Sequence, residues 1–247
     1  MSCSLNRKDL YVIFPAAGSG SRMKSSTNKL FMEVDGITVL ERTLIAFSRF
    51  SELLGIRLHG VIATSEDLID DIKDIVSNND SYSYIEKIVL GSDTRAKSVN
   101  NGVQALALLQ NPPKDNSPVF IHDMARCLID SKTLKNCLDS LEECDVSVAA
   151  VKAKNTIKLL RADGITIDKT LDRDFLYEAQ TPQNFRYSAL TDCFSKTVGT
   201  NPDTRCTDDV SLAEMCGYDV KIAEGAYSNI KITTPEDINL ALSLIGN

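Results

Sequence analysis

Leu10-Tyr11-Val12-Ile13-Phe14 runs directly into Pro15-Ala16-Ala17-Gly18-Ser19-Gly20-Ser21-Arg22-Met23, and Lys29 follows shortly after. The apolar run reads as a buried strand. A strand that opens into a small, glycine-containing loop lets backbone N–H groups approach a phosphate chain closely. Arg22 and Lys29 add two permanent positive charges beside that loop. A dinucleotide fingerprint would place glycine where this chain has Met23. A Walker A loop would need Gly-Lys-Ser/Thr, and no such triplet occurs. The stretch therefore has the composition of a nucleoside triphosphate site. For Arg22 and Lys29 taken alone, a solvated surface loop is the simpler reading. Their place after a strand and a Gly-x-Gly turn favours phosphate contact.

Working outward, strand and helix patterns alternate. Strands are expected at 10–14, 58–64, 85–90, 119–122 and 146–151. Thr38-Val39-Leu40-Glu41 reads as a capping box opening a helix toward Phe50. Ser65 opens the next helix, residues 98–109 carry apolar side chains at helical spacing, and Ser131 caps a helix running to about Glu143. This order predicts an α/β fold with a mainly parallel sheet and helices on both faces. Ligands bind at the carboxyl ends of such strands, where 15–22, 91–98 and 122–126 fall.

Residues 152–174 break the alternation, with two strand patterns around an Asp163-Gly164 turn. A lone hairpin is marginal in water, so this one should pack on something, such as a second subunit. Helices are expected near 187–198 and 208–215, the second ended by Gly217. A strand near 220–223 and the run Asn229-Ile230-Lys231-Ile232-Thr233 follow. The last helix has Thr234 as cap, Pro235 in first position, and Glu236 and Asp237 in the first turn. No boundary, repeat or low-complexity segment divides the chain, so residues 1–247 read as one domain.

The bulk numbers narrow the function classes. The 247 residues are 43% apolar and carry a net charge of −7, which argues against nucleic-acid binding. No apolar run reaches the length of a membrane span, and the first nine residues lack a signal-peptide core. A cytosolic protein is expected. Seven cysteines without a Cys-x-x-Cys pair, beside only two histidines, disfavour a zinc site and fit free thiols.

Four further clusters carry alternatives. Asp123, at a strand end, suits Mg²⁺, which takes one or two carboxylates plus phosphate oxygens; a cap or turn role is as good for it alone. His122 reads as a packed core histidine, and Arg126 as a partner for an acid. Ser98 is either a helix cap or a base contact. Lys231, inside a β-branched run, either meets an anion or faces solvent from an edge strand.

Together these motifs resemble the 2-C-methyl-D-erythritol 4-phosphate cytidylyltransferase family from about Val12 to Leu242. The residues that carry the resemblance are PAAGSGSRM at 15–23, Lys29, RAKSV at 95–99, HDMAR at 122–126, TIK at 156–158 and LDR at 171–173. AQTPQNF at 179–185, TDD at 207–209 and NIKITTPED at 229–237 complete the set. The chain departs from the family pattern at Asn28, Leu30, Ser92, Met124, Cys127, Asn155 and Tyr177. The resemblance implies a Rossmann-like nucleotidyltransferase with a protruding hairpin arm at about 152–174, a homodimer with interlocked arms, and a Mg²⁺-dependent reaction of CTP with a polyol phosphate. It assigns Arg22, Lys29 and Lys231 to the phosphates and the transition state, and Asp123 to the metal and substrate. Ala16, Ala17, Gly18, Gly20, Gly91, Asp93 and Ser98 would surround the nucleotide. Arg126, Thr156, Arg173 and Thr181 would bind the acceptor, with Thr156 and Arg173 supplied by the partner's arm. The alternatives are a ribitol 5-phosphate cytidylyltransferase and a non-catalytic nucleotide-binding homologue. The intact Arg22, Lys29, Asp123 and Lys231 argue against the second.

Overall fold

The strand that precedes the glycine loop, β1 (Asp9–Ala16), sits deep inside a seven-stranded sheet in the computed structural model, which describes residues 4–18, 28–197 and 208–246. Its neighbours are β4 (Arg57–Thr64) on one side and β6 (Pro118–Ile121) on the other, both parallel to it. β5 (Ile85–Leu90) extends the sheet beyond β4, again in parallel. β1 and β6 match the apolar runs because parallel strands covered on both faces must be apolar on both, whereas β5, at the edge, is buried only at Ile85.

The other half of the sheet is mixed. β10 (Tyr177–Arg186) runs antiparallel between β6 and β7 (Val146–Lys152), and β11 (Val220–Glu224) pairs with β7 in parallel at the edge. The full order is β11-β7-β10-β6-β1-β4-β5. The chain is thus a Rossmann-like α/β fold. The sequence reading contains no strand at 177–186, and the expected run at 229–233 is a loop. A two-residue hairpin of β2 (Glu33–Val34) and β3 (Ile37–Thr38), turned by Asp35 and Gly36 at positive φ, was also not expected.

Helices cover both faces. On one side lie α1 (Val39–Leu54), α2 (Ile69–Ser77), α4 (Ser131–Ser140) and α7 (Pro235–Ile245), around a core that includes Phe14, Phe47 and Phe50. On the other lie α3 (Arg95–Leu106), α5 (Tyr187–Thr197) and α6 (Asp209–Met215), around Ile13, Val99 and Leu106. Thr38 caps α1 by accepting the Glu41 N–H at 3.2 Å. Thr234 and Asp237 form a capping box at α7. Two caps differ from expectation. Thr94, not Ser98, caps α3, and Asp130, not Ser131, caps α4. In each case the capping side chain accepts the N–H three residues on.

Gly102 brings α3 down onto β1. A Cβ there would stand 2.5 Å from Ile13 Cγ2, and Ile13 is fully buried in a central strand. Gly102→Val should therefore cost ~1–3 kcal/mol through overpacking, more than helix propensity returns. A urea-unfolding midpoint equal to that of the parent would refute this account of the helix seat.

The hairpin appears as β8 (Lys158–Leu160) paired with β9 (Ile167–Thr170), shorter than the expected span and exposed along its length. Ile157, Leu159, Leu160, Ile165 and Ile167 all present apolar surface to solvent.

Candidate active site

Three strand ends and one loop converge at the carboxyl edge of the sheet. β1 delivers Pro15–Gly18, β5 leads into Ser92–Ser98 at the start of α3, and β6 delivers His122–Arg126. The loop at 229–233 supplies Lys231. Between them is a cleft of about 180 Å³. Of the residues expected from sequence, Ala16, Ala17, Gly18, Lys29, Asp93, Ser98, Asp123 and Lys231 line it. Gly20 and Arg22 lie outside the described residues.

Gly91 is required by a close approach. Its Cβ would lie 2.6 Å from Ala17 Cβ and 3.0 Å from Ser98 Oγ. The loop after β5 can therefore press against the loop after β1. Ser98 holds that shape: its hydroxyl lies 2.9 Å from the Thr94 carbonyl oxygen and accepts the Ser92 N–H at 2.9 Å. Asp93 is exposed and ion-paired to Lys97 at 3.0 Å.

Asp123 is the electrostatic centre. Its Oδ1 accepts from Arg95 Nε at 3.3 Å and Nη2 at 3.1 Å, and its Oδ2 meets Lys231 Nζ at 2.6 Å. Burial works to raise its pKa, but the Arg95 and Lys231 charges outweigh burial and hold the carboxyl well below its ordinary range. Arg95 also pairs with Asp209 at the start of α6, a second buried carboxylate whose pKa burial pushes up. Gln183 holds α6 in place, because its Oε1 accepts the N–H groups of Asp209 at 2.7 Å and Val210 at 3.0 Å. The joining of Arg95 and Asp209 was not read from sequence. The only signal was an arginine in the RAKSV motif and an acid in the TDD motif, far apart in the chain.

Arg126 donates from Nη1 to the Asn229 carbonyl at 2.7 Å, and its Nε is buried with no hydrogen-bond partner among the described residues. Thr181 is buried, with its hydroxyl engaged by the Asp123 N–H and the His122 ring. Burial takes the His122 pKa down to about 3, against the pull of Asp123. As read from sequence, it is a core histidine. Met124 lines the cleft, whereas Cys127 packs in the core and opens toward a separate groove beside Arg42. Thr156 and Arg173 are exposed on the arm and are absent from the lining of this chain's own cleft.

The cleft gathers Gly18, Lys29, Lys231 and the Asp123 carboxylate at the carboxyl ends of the strands. The family model IspD, 2-C-methyl-D-erythritol 4-phosphate cytidylyltransferase, matches residues 10–247. The chain belongs to this family. A 2-C-methyl-D-erythritol 4-phosphate cytidylyltransferase of Trichormus variabilis is 40% identical over 232 residues, which is 94% of this chain and 96% of the relative. The 4-diphosphocytidyl-2C-methyl-D-erythritol synthase of Anaerococcus prevotii superposes with a TM-score of 0.80 at 32% identity, over 98% of this chain and 100% of that one. The cytidylyltransferase of Francisella tularensis gives 0.73 at 29% identity, over 94% and 98%. Members of the family are cytidylyltransferases, and none of the helices among the described residues is long and apolar enough to cross a membrane.

Proposed function

We propose that this chain transfers CMP from CTP to 2-C-methyl-D-erythritol 4-phosphate, releasing pyrophosphate. The observation that carries the reading is the Asp123 carboxylate, held ionised in a cleft that also presents Lys29 and Lys231. The acceptor is a phosphate monoester with a second pKa near ~6, so it is mostly dianionic at neutral pH. It is already a nucleophile, and no general base is required. The obstacle is repulsion between two phosphate chains. Arg22, Lys29 and Lys231 offset that repulsion and stabilise charge developing at the α-phosphorus in an in-line displacement. The loop at Gly91 and Ala17 takes the base and ribose, where backbone carbonyls can accept the cytosine 4-amino group.

The donor set suits Mg²⁺. Among the described residues no group of three acidic, histidine or cysteine ligands gathers. One hard carboxylate at Asp123, completed by substrate phosphate oxygens, matches how this ion is usually held. Once bound, Mg²⁺ would neutralise part of the triphosphate charge. Asp123 would hold it, and Lys231, whose side chain is 37% exposed, has room to leave the carboxylate for the phosphates.

The exposed apolar arm supports a homodimer in which Thr156 and Arg173 reach the acceptor phosphate in the other subunit's cleft. Arg126 would contact the polyol, and Met124, which lines the cleft, offers a soft surface for the branch methyl. We place the reaction in the cytoplasm, where thiols such as the buried Cys137 and Cys193 stay reduced.

A pyrophosphate-release assay crossing CTP and UTP with the two candidate acceptors tests this. CTP with 2-C-methyl-D-erythritol 4-phosphate should be the best pair. A fitted methyl is worth only ~1–3 kcal/mol, so the preference over ribitol 5-phosphate should be tens to hundreds of fold in kcat/KM. An equal or higher value for ribitol 5-phosphate would overturn the acceptor assignment.

A further inference from the structure

His122 and Thr181 lie beneath the cleft. The His122 ring stands edge-on to Phe14 and Phe47, with centroids 6.4 and 5.1 Å away. Its Nε2 is 3.2 Å from the Arg126 carbonyl oxygen, and its Nδ1 is 3.1 Å from Thr181 Oγ1. Thr181 Oγ1 also accepts the Asp123 N–H at 3.0 Å.

The directions of these bonds fix one another. A carbonyl oxygen only accepts, so Nε2 carries the proton. In a neutral imidazole Nδ1 is then a bare acceptor, and the Thr181 O–H is the donor that fills it. The relay therefore runs from the Asp123 N–H to Thr181 Oγ1, from the Thr181 O–H to His122 Nδ1, and from His122 Nε2–H to the Arg126 carbonyl. It braces a turn that the Arg126 N–H already closes onto the Asp123 carbonyl at 2.9 Å. One end of that turn carries the carboxylate of the cleft, and the other carries the guanidinium. A second brace runs alongside: Asn229 Nδ2 donates to the Thr181 carbonyl at 2.9 Å, while the Asn229 carbonyl accepts from Arg126.

We propose that His122 and Thr181 act as one positioning unit, setting Asp123 through the Thr181 hydroxyl and Arg126 through its carbonyl. The inference rests on the cytidylyl-transfer reading and deepens it. The Thr181 hydroxyl is engaged on both sides, by the His122 ring and by the Asp123 N–H. Losing the hydroxyl leaves a buried N–H and a buried ring nitrogen without partners. The turn must then move to satisfy them, and a misplacement of ~1 Å can cost ~10²-fold in rate.

The test compares Thr181→Val, Thr181→Ser, His122→Phe and the Val/Phe double variant, with CTP and acceptor varied separately and melting curves as a control. Thr181→Val should lower kcat by ~10- to 100-fold while the acceptor KM moves less than ~3-fold. Thr181→Ser should recover most of that loss. The double variant should be little worse than the worse single one, because both interrupt one relay. A rise in acceptor KM with kcat intact would return Thr181 to substrate contact and overturn the proposal. So would wild-type behaviour of Thr181→Val, or losses that multiply. If the variants fail to fold, or if wild type proves inactive with CTP and this acceptor, ¹⁵N spectra of labelled wild-type protein still decide the relay. The carbonyl of Arg126 calls for a proton on Nε2 of His122, and an Nδ1–H tautomer would refute the relay.

Discussion

Asp123→Asn should lower kcat by ~10²-fold or more and raise the Mg²⁺ concentration for half-maximal rate sharply. The exchange conserves shape and removes one charge from a tight cluster. In the parent, Arg95, Arg126 and Lys231 face Asp123 and Asp209. In the variant, Arg95 keeps Asp209 as partner, and Lys231 is exposed enough to be solvated. The fold should therefore survive better than the breaking of a sealed ion pair would allow. The local excess of positive charge should leave CTP binding intact or tighter, so the loss belongs in kcat. A neutral amide is a poor ligand for a hard cation, which is why the metal titration is the sharper readout. If the variant titrates with Mg²⁺ like the parent, the metal is held elsewhere. Asp209 and Asp237 would then be next, although the first is tied to Arg95 and the second accepts the N–H groups of Thr233 and Thr234.

The parts of this cluster that were legible in sequence are those fixed by strand ends. β1, β4, β6 and β7 announce themselves as mainly apolar runs, and the rule that ligands sit at the carboxyl ends of parallel strands then points to 15–18 and to Asp123. β10 did not announce itself. Tyr177–Arg186 is polar and contains Pro182, a composition that argues for a loop or an edge. In the fold its polar side chains from Gln180 onward are buried, and they hold particular partners. Gln183 bonds Asp208 and the start of α6, Asn184 bonds Ser147, and Thr181 bonds His122 and Asp123. The strand also shifts register against β7 between Ala179 and Gln183, which is where the proline sits. Residues 229–233 failed in the opposite direction. Their β-branched run reads as a strand, yet their groups are claimed one by one from the site: Lys231 by Asp123, Asn229 by Thr181, and the Ile232 N–H by the Ala125 carbonyl. Pattern reading detects repeated burial, whereas these two segments are held by particular long-range partners. The Arg95–Asp209 pair was hidden for the same reason.

Lys29→Ala and Arg173→Ala should each lose ~10²-fold or more in kcat when assayed alone, since each removes a charge facing the phosphates. Mixed, they should regain part of the activity. The argument starts from the arm. A two-stranded hairpin has too little packing of its own to be stable in water. Here β8 and β9 are exposed, with Ile157, Leu159, Leu160 and Ile167 uncovered and Phe175 83% exposed at the base. Arg173 opens the short helical turn Arg173–Phe175 at that base, and it is not part of its own chain's cleft. If the arm completes the cleft of a second copy, a mixed dimer contains one site with both charges present and one with neither. Random exchange of equal amounts puts half of all subunits in mixed dimers, so about a quarter of all sites should be intact under two-fold symmetry. Sites complete within one chain would give no recovery, because every chain lacks one of the two charges. Native mass spectrometry must first show that the subunits have exchanged, and the same sample then goes to the pyrophosphate assay. No recovery after proven exchange, or a monomer by light scattering, would mean that each chain works with its own residues and that the arm serves another purpose.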